Sequence, residues 1–199
     1  MPQATNRNGP VCRYVIALGA NLPLHGDEPP ATLRAALRAL QARGIAVCDT
    51  SRFFSCPAFP AGNGPDYTNA AAVLETTLTA RALLDALHAV EAQFGRERAT
   101  RWGQRTLDLD LITAGEGVFP DRATHAEWRL LDAATQRLRA PDEMILPHPR
   151  LQDRAFVLVP MADIAPDWRH PVLGKTVVEM RDALPPEALA EMVPMVTVD

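Results

Sequence analysis

Lysine is all but missing from this 199-residue chain: Lys175 stands alone, and every other cationic side chain is arginine. Arginine offers a planar fork suited to phosphate, where lysine offers a point charge. Long apolar runs are also missing. None approaches the ~20 residues of a membrane-spanning helix, so no membrane partner is expected. Cysteine is scarce, with Cys12, Cys48 and Cys56 an odd three and no Cys-x-x-Cys spacing. That argues against a zinc site or a disulfide framework. Cys48, beside Val47 in an apolar stretch, reads as a small core residue. There is no Walker A run, which excludes an ordinary P-loop kinase at the motif level. There is no excess of positive charge either: the formal net charge is −4, so the surface as a whole does not attract nucleic acid. An aromatic platform of the RNP type, which an RNA-binding module would need, is absent. Residues 1–13 lack the apolar centre of a signal peptide. They read as a flexible N-terminal extension, and the expected compartment is the cytoplasm.

What remains is ordinary for a soluble globular protein, with 47% hydrophobic and 22% charged residues. Residues 14–199 are expected to form a single domain. The most informative stretch is Leu107-Asp108-Leu109-Asp110-Leu111-Ile112. Its acids alternate with leucines, the period of a half-buried strand. On a strand, positions i and i+2 face the same way, about 6.5–7 Å apart at Cα. Both carboxylates can then converge on ions spaced roughly 3.5–4 Å apart. On a helix the same residues would point nearly opposite ways. Arg96, Arg98, Arg101 and Arg105 crowd the ten residues just upstream. Paired acids beside an arginine cluster suggest Mg²⁺ and phosphate together. The alternative is a strand edge whose two acids pair with those arginines and do nothing more.

The pattern along the chain predicts an α+β fold. Tyr14–Leu18 is a short apolar strand. Leu33, Leu37 and Leu40 recur at helical spacing, with Gly44 as the stop. Ile45–Phe54 is β-like and 56–66 is a Pro- and Gly-rich loop. Tyr67–Thr76 is the next strand. Thr79 can cap a helix carrying Leu83, Leu84, Leu87, Val90 and Phe94, ended by Gly95. With the 108–112 strand, the order β-α-β-β-α-β covers 14–114. That is the ferredoxin-like arrangement: an antiparallel sheet with helices packed on it, followed here by C-terminal elements. Gly115-Glu116-Gly117 turns toward Val118 and Phe119, a possible hairpin partner. Residues 121–142 read as an inserted helix with a capping box at Thr124-His125-Ala126-Glu127. Trp128, Leu131 and Leu138 would give it an apolar stripe facing this domain's flank or a second subunit. As an insertion it is expected to be accessory to the chemistry. Phe156–Val159 reads as a strand, followed by short helices over Met161–Ile164 and Val177–Leu184.

The run Arg101-Trp102-Gly103-Gln104-Arg105-Thr106-Leu107-Asp108-Leu109-Asp110 resembles the signature of the 6-hydroxymethyl-7,8-dihydropterin pyrophosphokinase family. Tyr14–Leu22 is similar to that family's opening strand and turn, and Pro65–Ala71 to its third strand. Leu146-Pro147-His148-Pro149-Arg150 and Arg154–Pro160 are similar to its later segment. The resemblance implies transfer of pyrophosphate from ATP to the hydroxymethyl group of a reduced pterin, releasing AMP, in folate biosynthesis. It implies Mg²⁺, two ions, held by Asp108 and Asp110, with ATP as co-substrate. By match, Arg96, Arg98 and Arg105 are catalytic. Arg96, Arg101, Arg105, Leu111, His148 and Arg154 bind ATP. Cys56, Pro57, Phe59, Tyr67, Asn69, Trp102 and Phe156 form the pterin pocket. Gly19 and Glu91 support them. Asn69 offers both halves of an amide to a pterin edge, though it also reads as a strand-end turn residue, and Phe156 also reads as core. Glu91 also reads as part of a solvated helix face. The segment from Gly95 to Trp102 is slightly shorter than in the best-known bacterial pattern. The partners implied are small molecules, with no nucleic acid and no membrane, in a monomer or weak homodimer. A nucleotidyltransferase also uses strand carboxylates, but it would carry a Gly-Ser turn where this chain has Gly19-Ala20-Asn21.

Overall fold

A computed structural model of the chain describes residues 9–58, 64–95, 105–132, 135, 139 and 141–196. The elements are β1 (Cys12–Ala20), α1 (Pro29–Ala42), β2 (Ala46–Thr50), β3 (Phe54–Cys56), β4 (Tyr67–Thr76), α2 (Ala80–Gln93) and β5 (Asp108–Ala114). After them come α3 (Arg122–Leu130), α4 (Ala155–Ile164), α5 (Val177–Arg181), α6 (Pro186–Ala190) and β6 (Val193–Pro194). All strand pairs are antiparallel. The sheet order is β5-β1-β4-β3-β6, with β2 also on β4. The central β5-β1-β4 order, with the crossover helices α1 and α2 on one face, is the ferredoxin-like arrangement expected from the sequence.

The sheet is covered on both faces, which explains why β1 is continuously apolar. Tyr14, Ile16 and Leu18 point to one side, into a core with Leu33, Leu37 and Leu40 of α1 and Leu83, Leu87 and Val90 of α2. Val15 and Ala17 point to the other, against Val157, Leu158 and Met161 of α4 and Val177 and Met180 of α5. β4 divides the same way, with Ala70, Ala72 and Leu74 facing α1 and α2, and Ala71 and Val73 facing α4. The α2 cap is as read: the Thr79 side chain accepts from the Ala82 N–H at 3.3 Å. Gly95 ends the helix at φ +74°, a left-handed conformation that costs glycine little.

Several local expectations are corrected. The 45–54 stretch is two strands, because Ser51 takes over the pairing to Ala71 with both its backbone N–H and its hydroxyl, each at 2.9 Å. Cys48 is exposed, not core. Phe119 pairs not with β5 but with Leu146, through bonds of 2.7 and 3.1 Å. The N-cap of α3 is Asp121, whose carboxylate accepts from Ala123 and Thr124 at 2.8 and 3.0 Å, so Thr124 lies inside the helix. That helix ends at Leu130, well short of Pro141. Phe156–Val159 is not a strand but the first half of α4. The buried set Val157, Leu158, Pro160 and Met161 has helical spacing, and a short apolar run alone does not distinguish the two. The helix runs through Pro160 to Ile164, so the expected strand and the short helix over Met161–Ile164 are one element.

Candidate active site

The site is built on the α4 face of the sheet, where strand register brings three rows of residues together. Gly19 of β1 lies opposite Asn69 of β4 on one side and Asp108 of β5 on the other. Two residues back, Ala17 lies opposite Ala71 and Asp110. Cross-strand partners share a face, so Asn69, Asp108 and Asp110 project over a floor of glycine and alanine. The floor has to be small: a Cβ on Gly19 would stand 3.4 Å from the Asn69 Oδ1 and 3.9 Å from the Asp108 Cβ. The leucines at 107, 109 and 111 are buried on the opposite face, which fixes the direction of the two carboxylates.

Basic groups converge on those acids from two segments. Arg105 forms an ion pair with Asp108. Arg154, at the start of α4, lies 3.7 Å from Asp110. Burial lowers the Arg154 pKa, with the carboxylate of Asp110 opposing the shift. Its guanidinium stays charged nonetheless. Asn21 holds the Arg105 segment in place. Its Oδ1 accepts from the Arg105 N–H at 2.9 Å, its own N–H donates to the Arg105 carbonyl at 3.0 Å, and its Nδ2 donates to the Pro65 carbonyl at 3.2 Å. Glu91, 1% exposed on α2, accepts from the Leu109 N–H at 2.7 Å, between the two aspartates. It is therefore no part of a solvated helix face.

His148 follows Pro147 and is fastened by its N–H to the Ile112 carbonyl at 2.9 Å. Its Nδ1 accepts from the Arg150 N–H at 3.1 Å. Burial, then the nearby Arg154 and Arg150 guanidinium groups, hold its pKa well below the usual histidine value. The ring is therefore neutral at pH 7, with its proton on Nε2 as a donor.

Two cavities meet at this point. One, of about 340 Å³, is lined by Cys56, Pro57, Tyr67, Asn69 and Phe156 above the Ala17–Gly19 floor, together with Arg105 and Asp108. Asn69 is 5% exposed, so it is no turn residue at a solvated strand end. Its Nδ2 lies 3.1 Å from the Cys56 sulfur. Burial pushes the Cys56 thiol up to about 11, with Asn69 acting against the shift. Burial also raises the Tyr67 phenol, opposed by Arg105, and both groups keep their protons at neutral pH. Phe156 is 39% exposed and faces this cavity, so it is not a core residue. The second cavity, of about 410 Å³, is lined by Leu84, Leu111, Trp128, Met144 and Arg150 among others. Asp110, His148 and Arg154 line both.

Of the residues singled out in the sequence, the structure thus gathers Gly19, Cys56, Pro57, Tyr67, Asn69, Arg105, Asp108, Asp110, His148, Arg154 and Phe156 around one cavity. Leu111 lies on the neighbouring one. Phe59, Arg96, Arg98, Arg101 and Trp102 lie outside the described residues. Sequence reasoning missed Asn21, which looked like a simple turn residue, and Arg150, whose buried Nε has no hydrogen-bond partner among the described residues. It also missed the approach of α3. That helix is tied in by His125, a polar residue that is fully buried on a nine-residue helix with little apolar surface.

Two oxygen-donor carboxylates lining one cavity, with no third acid beside them among the described residues, fit Mg²⁺. That ion is held by one or two carboxylates and fills its remaining positions with water and phosphate oxygens.

A family model described as 7,8-dihydro-6-hydroxymethylpterin-pyrophosphokinase matches residues 15–166. A Pseudomonas aeruginosa protein named 2-amino-4-hydroxy-6-hydroxymethyldihydropteridine pyrophosphokinase is 39% identical over 180 residues, covering 90% of this chain and 96% of its own. A Synechocystis protein of the same name is 38% identical over 167 residues, covering 83% of this chain and 73% of its own. Among solved structures, wild-type Plasmodium falciparum HPPK-DHPS superposes with a TM-score of 0.61 at 13% identity, over 87% of this chain. This chain spans 44% of that longer protein, and at such low identity the likeness is one of fold.

Proposed function

The chain belongs to the 7,8-dihydro-6-hydroxymethylpterin-pyrophosphokinase family, and from that premise we infer how its residues divide the work. The reaction is transfer of pyrophosphate from ATP to the hydroxymethyl group of 6-hydroxymethyl-7,8-dihydropterin, releasing AMP, a step in folate biosynthesis. One observation carries the assignment of roles: two cavities share Asp110, His148 and Arg154 as their common wall. A transferred group must pass between two substrates at such a junction.

In this reading the smaller cavity takes the pterin. Asn69 donates to and accepts from its edge, Tyr67 and Phe156 cover its faces, and the Cys56 thiol with Pro57 closes one side. These groups are uncharged at pH 7, as a neutral heterocycle requires. The larger cavity takes the nucleotide. Arg105, Arg150 and Arg154 stand where the phosphates meet the acids. The neutral His148 donates one hydrogen bond from Nε2, which adds direction without adding charge. Leu111 contributes an apolar surface. Asp108 and Asp110 would hold Mg²⁺, two ions in this reading, which supply charge neutralisation around the transferred group. Asn21 and Glu91 position Arg105 and the β5 backbone. Arg96, Arg98 and Arg101 are assigned to ATP phosphates, and Trp102 and Phe59 to the pterin, on family match alone. The chain has no described helix long and apolar enough to cross a membrane. Cytoplasmic action as a monomer or weak homodimer belongs to the proposal.

The test is a coupled assay with ATP, Mg²⁺ and the reduced pterin that follows AMP rather than ADP. Asp108→Ala and Asp110→Ala should each cost on the order of 10³-fold or more in rate while the fold persists. A folded variant with near-normal turnover would remove the carboxylates from the mechanism.

A further inference from the structure

The inserted helix α3 is expected from its position in the chain to be accessory, yet it lies against the nucleotide cavity. Its one buried residue, His125, is 3.0 Å from the Pro147 carbonyl through Nε2. Pro147 directly precedes His148, which lines both cavities. Three residues after His125, on the same helical face, Trp128 lines the larger cavity. Arg139 lies over its indole, 5.1 Å from the ring centroid, and lines the cavity as well.

This cavity has a shared and an unshared part. The residues it shares with its neighbour are Asp110, His148 and Arg154, the junction where transfer must occur. The residues it does not share include Trp128, Leu84 and Met144, the acids Asp142 and Glu143, and the cations Arg81, Arg139 and Arg150. A triphosphate engaged at the junction therefore leaves its base among the unshared residues. Asp142 and Glu143 repel phosphate but accept hydrogen bonds from an exocyclic amine. Trp128 is the only Phe, Tyr or Trp on that cavity among its described lining residues, and a purine needs a flat, polarisable surface beside it.

We propose that Trp128 is the wall that recognises the purine base of ATP, carried to the site by a helix anchored through His125. The proposal rests on the reading of the larger cavity as the nucleotide site. It makes α3 a determinant of co-substrate choice, separate from the chemistry at Asp108 and Asp110.

The test uses the full chain and two variants, Trp128→Leu, which keeps apolar bulk, and Trp128→Phe, which keeps a flat face. Binding is measured calorimetrically for a non-hydrolysable ATP analogue and for inorganic tripolyphosphate, which has no base. Base–aromatic stacking supports a loss of about 5- to 150-fold in analogue affinity for Trp128→Leu. Tripolyphosphate affinity, the KM for the pterin and kcat at saturating ATP should stay at wild-type values. Trp128→Phe should recover most of the loss, and the preference for ATP over CTP should narrow in the leucine variant. Equal weakening of analogue and tripolyphosphate would mean that Trp128 acts only through the shape of the His148 segment, which overturns the proposal. Wild-type analogue affinity in Trp128→Leu overturns it too. If the unaltered protein binds neither probe, the nucleotide reading itself fails, an outcome distinct from both.

Discussion

Replacing Glu91 by alanine should damage the protein well beyond the helix that carries it. The side chain is 1% exposed, and its Oε1 accepts from the Leu109 N–H at 2.7 Å. β5 is the last strand of the sheet, so that outward N–H has no strand to donate to. Removing the carboxylate leaves it buried and unpaired, at a cost of about 1–3 kcal/mol. The lost methylene packing adds roughly 1 kcal/mol. A total near 3 kcal/mol is a large part of the ~5–15 kcal/mol that such a domain has, and lowers Tm by about 6–12 °C. Glu91→Gln keeps an acceptor of the same reach and should cost only about 1 kcal/mol. The assay is urea unfolding of both variants, paired with AMP release under saturating Mg²⁺. Alanine should also lower kcat, because Leu109 sits between the two aspartates and its displacement spreads them. An alanine variant that unfolds at the wild-type midpoint would refute the reasoning, and so would equal losses in the two variants.

Asn69→Ala should weaken pterin binding by roughly 1–3 kcal/mol, since pterin edge groups lose their partners, while ATP affinity holds; calorimetry showing equal loss for both ligands would exclude a pterin-specific role. Stability should fall in mild acid because of His125 and His170, which are fully buried with ring centroids 5.6 Å apart. Burial lowers both, His170 to about 4, with the facing His125 and Arg129 adding to the effect. A folded value below the unfolded one of about 6.5 means that the unfolded chain binds more protons between those values. The stabilisation is therefore complete above about pH 6.5 and is lost as pH falls toward 4. Its size for His170 is up to about 3 kcal/mol before solvent screening reduces it. Urea midpoints at pH 7.5, 6 and 5 should drop in step, and a His170→Asn variant with an unchanged pH profile would assign the drop to other groups.

Much of the fold was legible because its strongest signals are local. The β4 bounds follow from the apolar run between a proline-rich loop and Thr79, and the alternation at 107–112 gives the face of each aspartate. The pairing of Gly19 with both Asn69 and Asp108 was not legible, since register is a property of three strands and not of any one. α4 was misread because Val157 and Leu158 are adjacent apolar residues before a proline, a pattern shared by buried strands and helix interiors. Asp121 was overlooked as a cap because Thr124 offered a competing box three residues later. Asn21 and His125 were hidden for a common reason: their value lies in backbone groups far along the chain, at Arg105 and Pro147.

The place of β5 at the rim of the sheet carries an evolutionary consequence. Among the strands only β1 pairs with Asp108 and Asp110, through Gly19 and Ala17, while Glu91 holds Leu109 from the outer side, and no strand beyond them among the described residues must be kept in step. Between Phe119 and Leu146, which pair with one another, the chain makes an excursion that carries α3. That excursion can lengthen or shorten without shifting the carboxylates, much as a handle can be reshaped without moving the blade. In the proposed reading, co-substrate preference can drift through changes in α3 while Asp108 and Asp110 stay under separate selection.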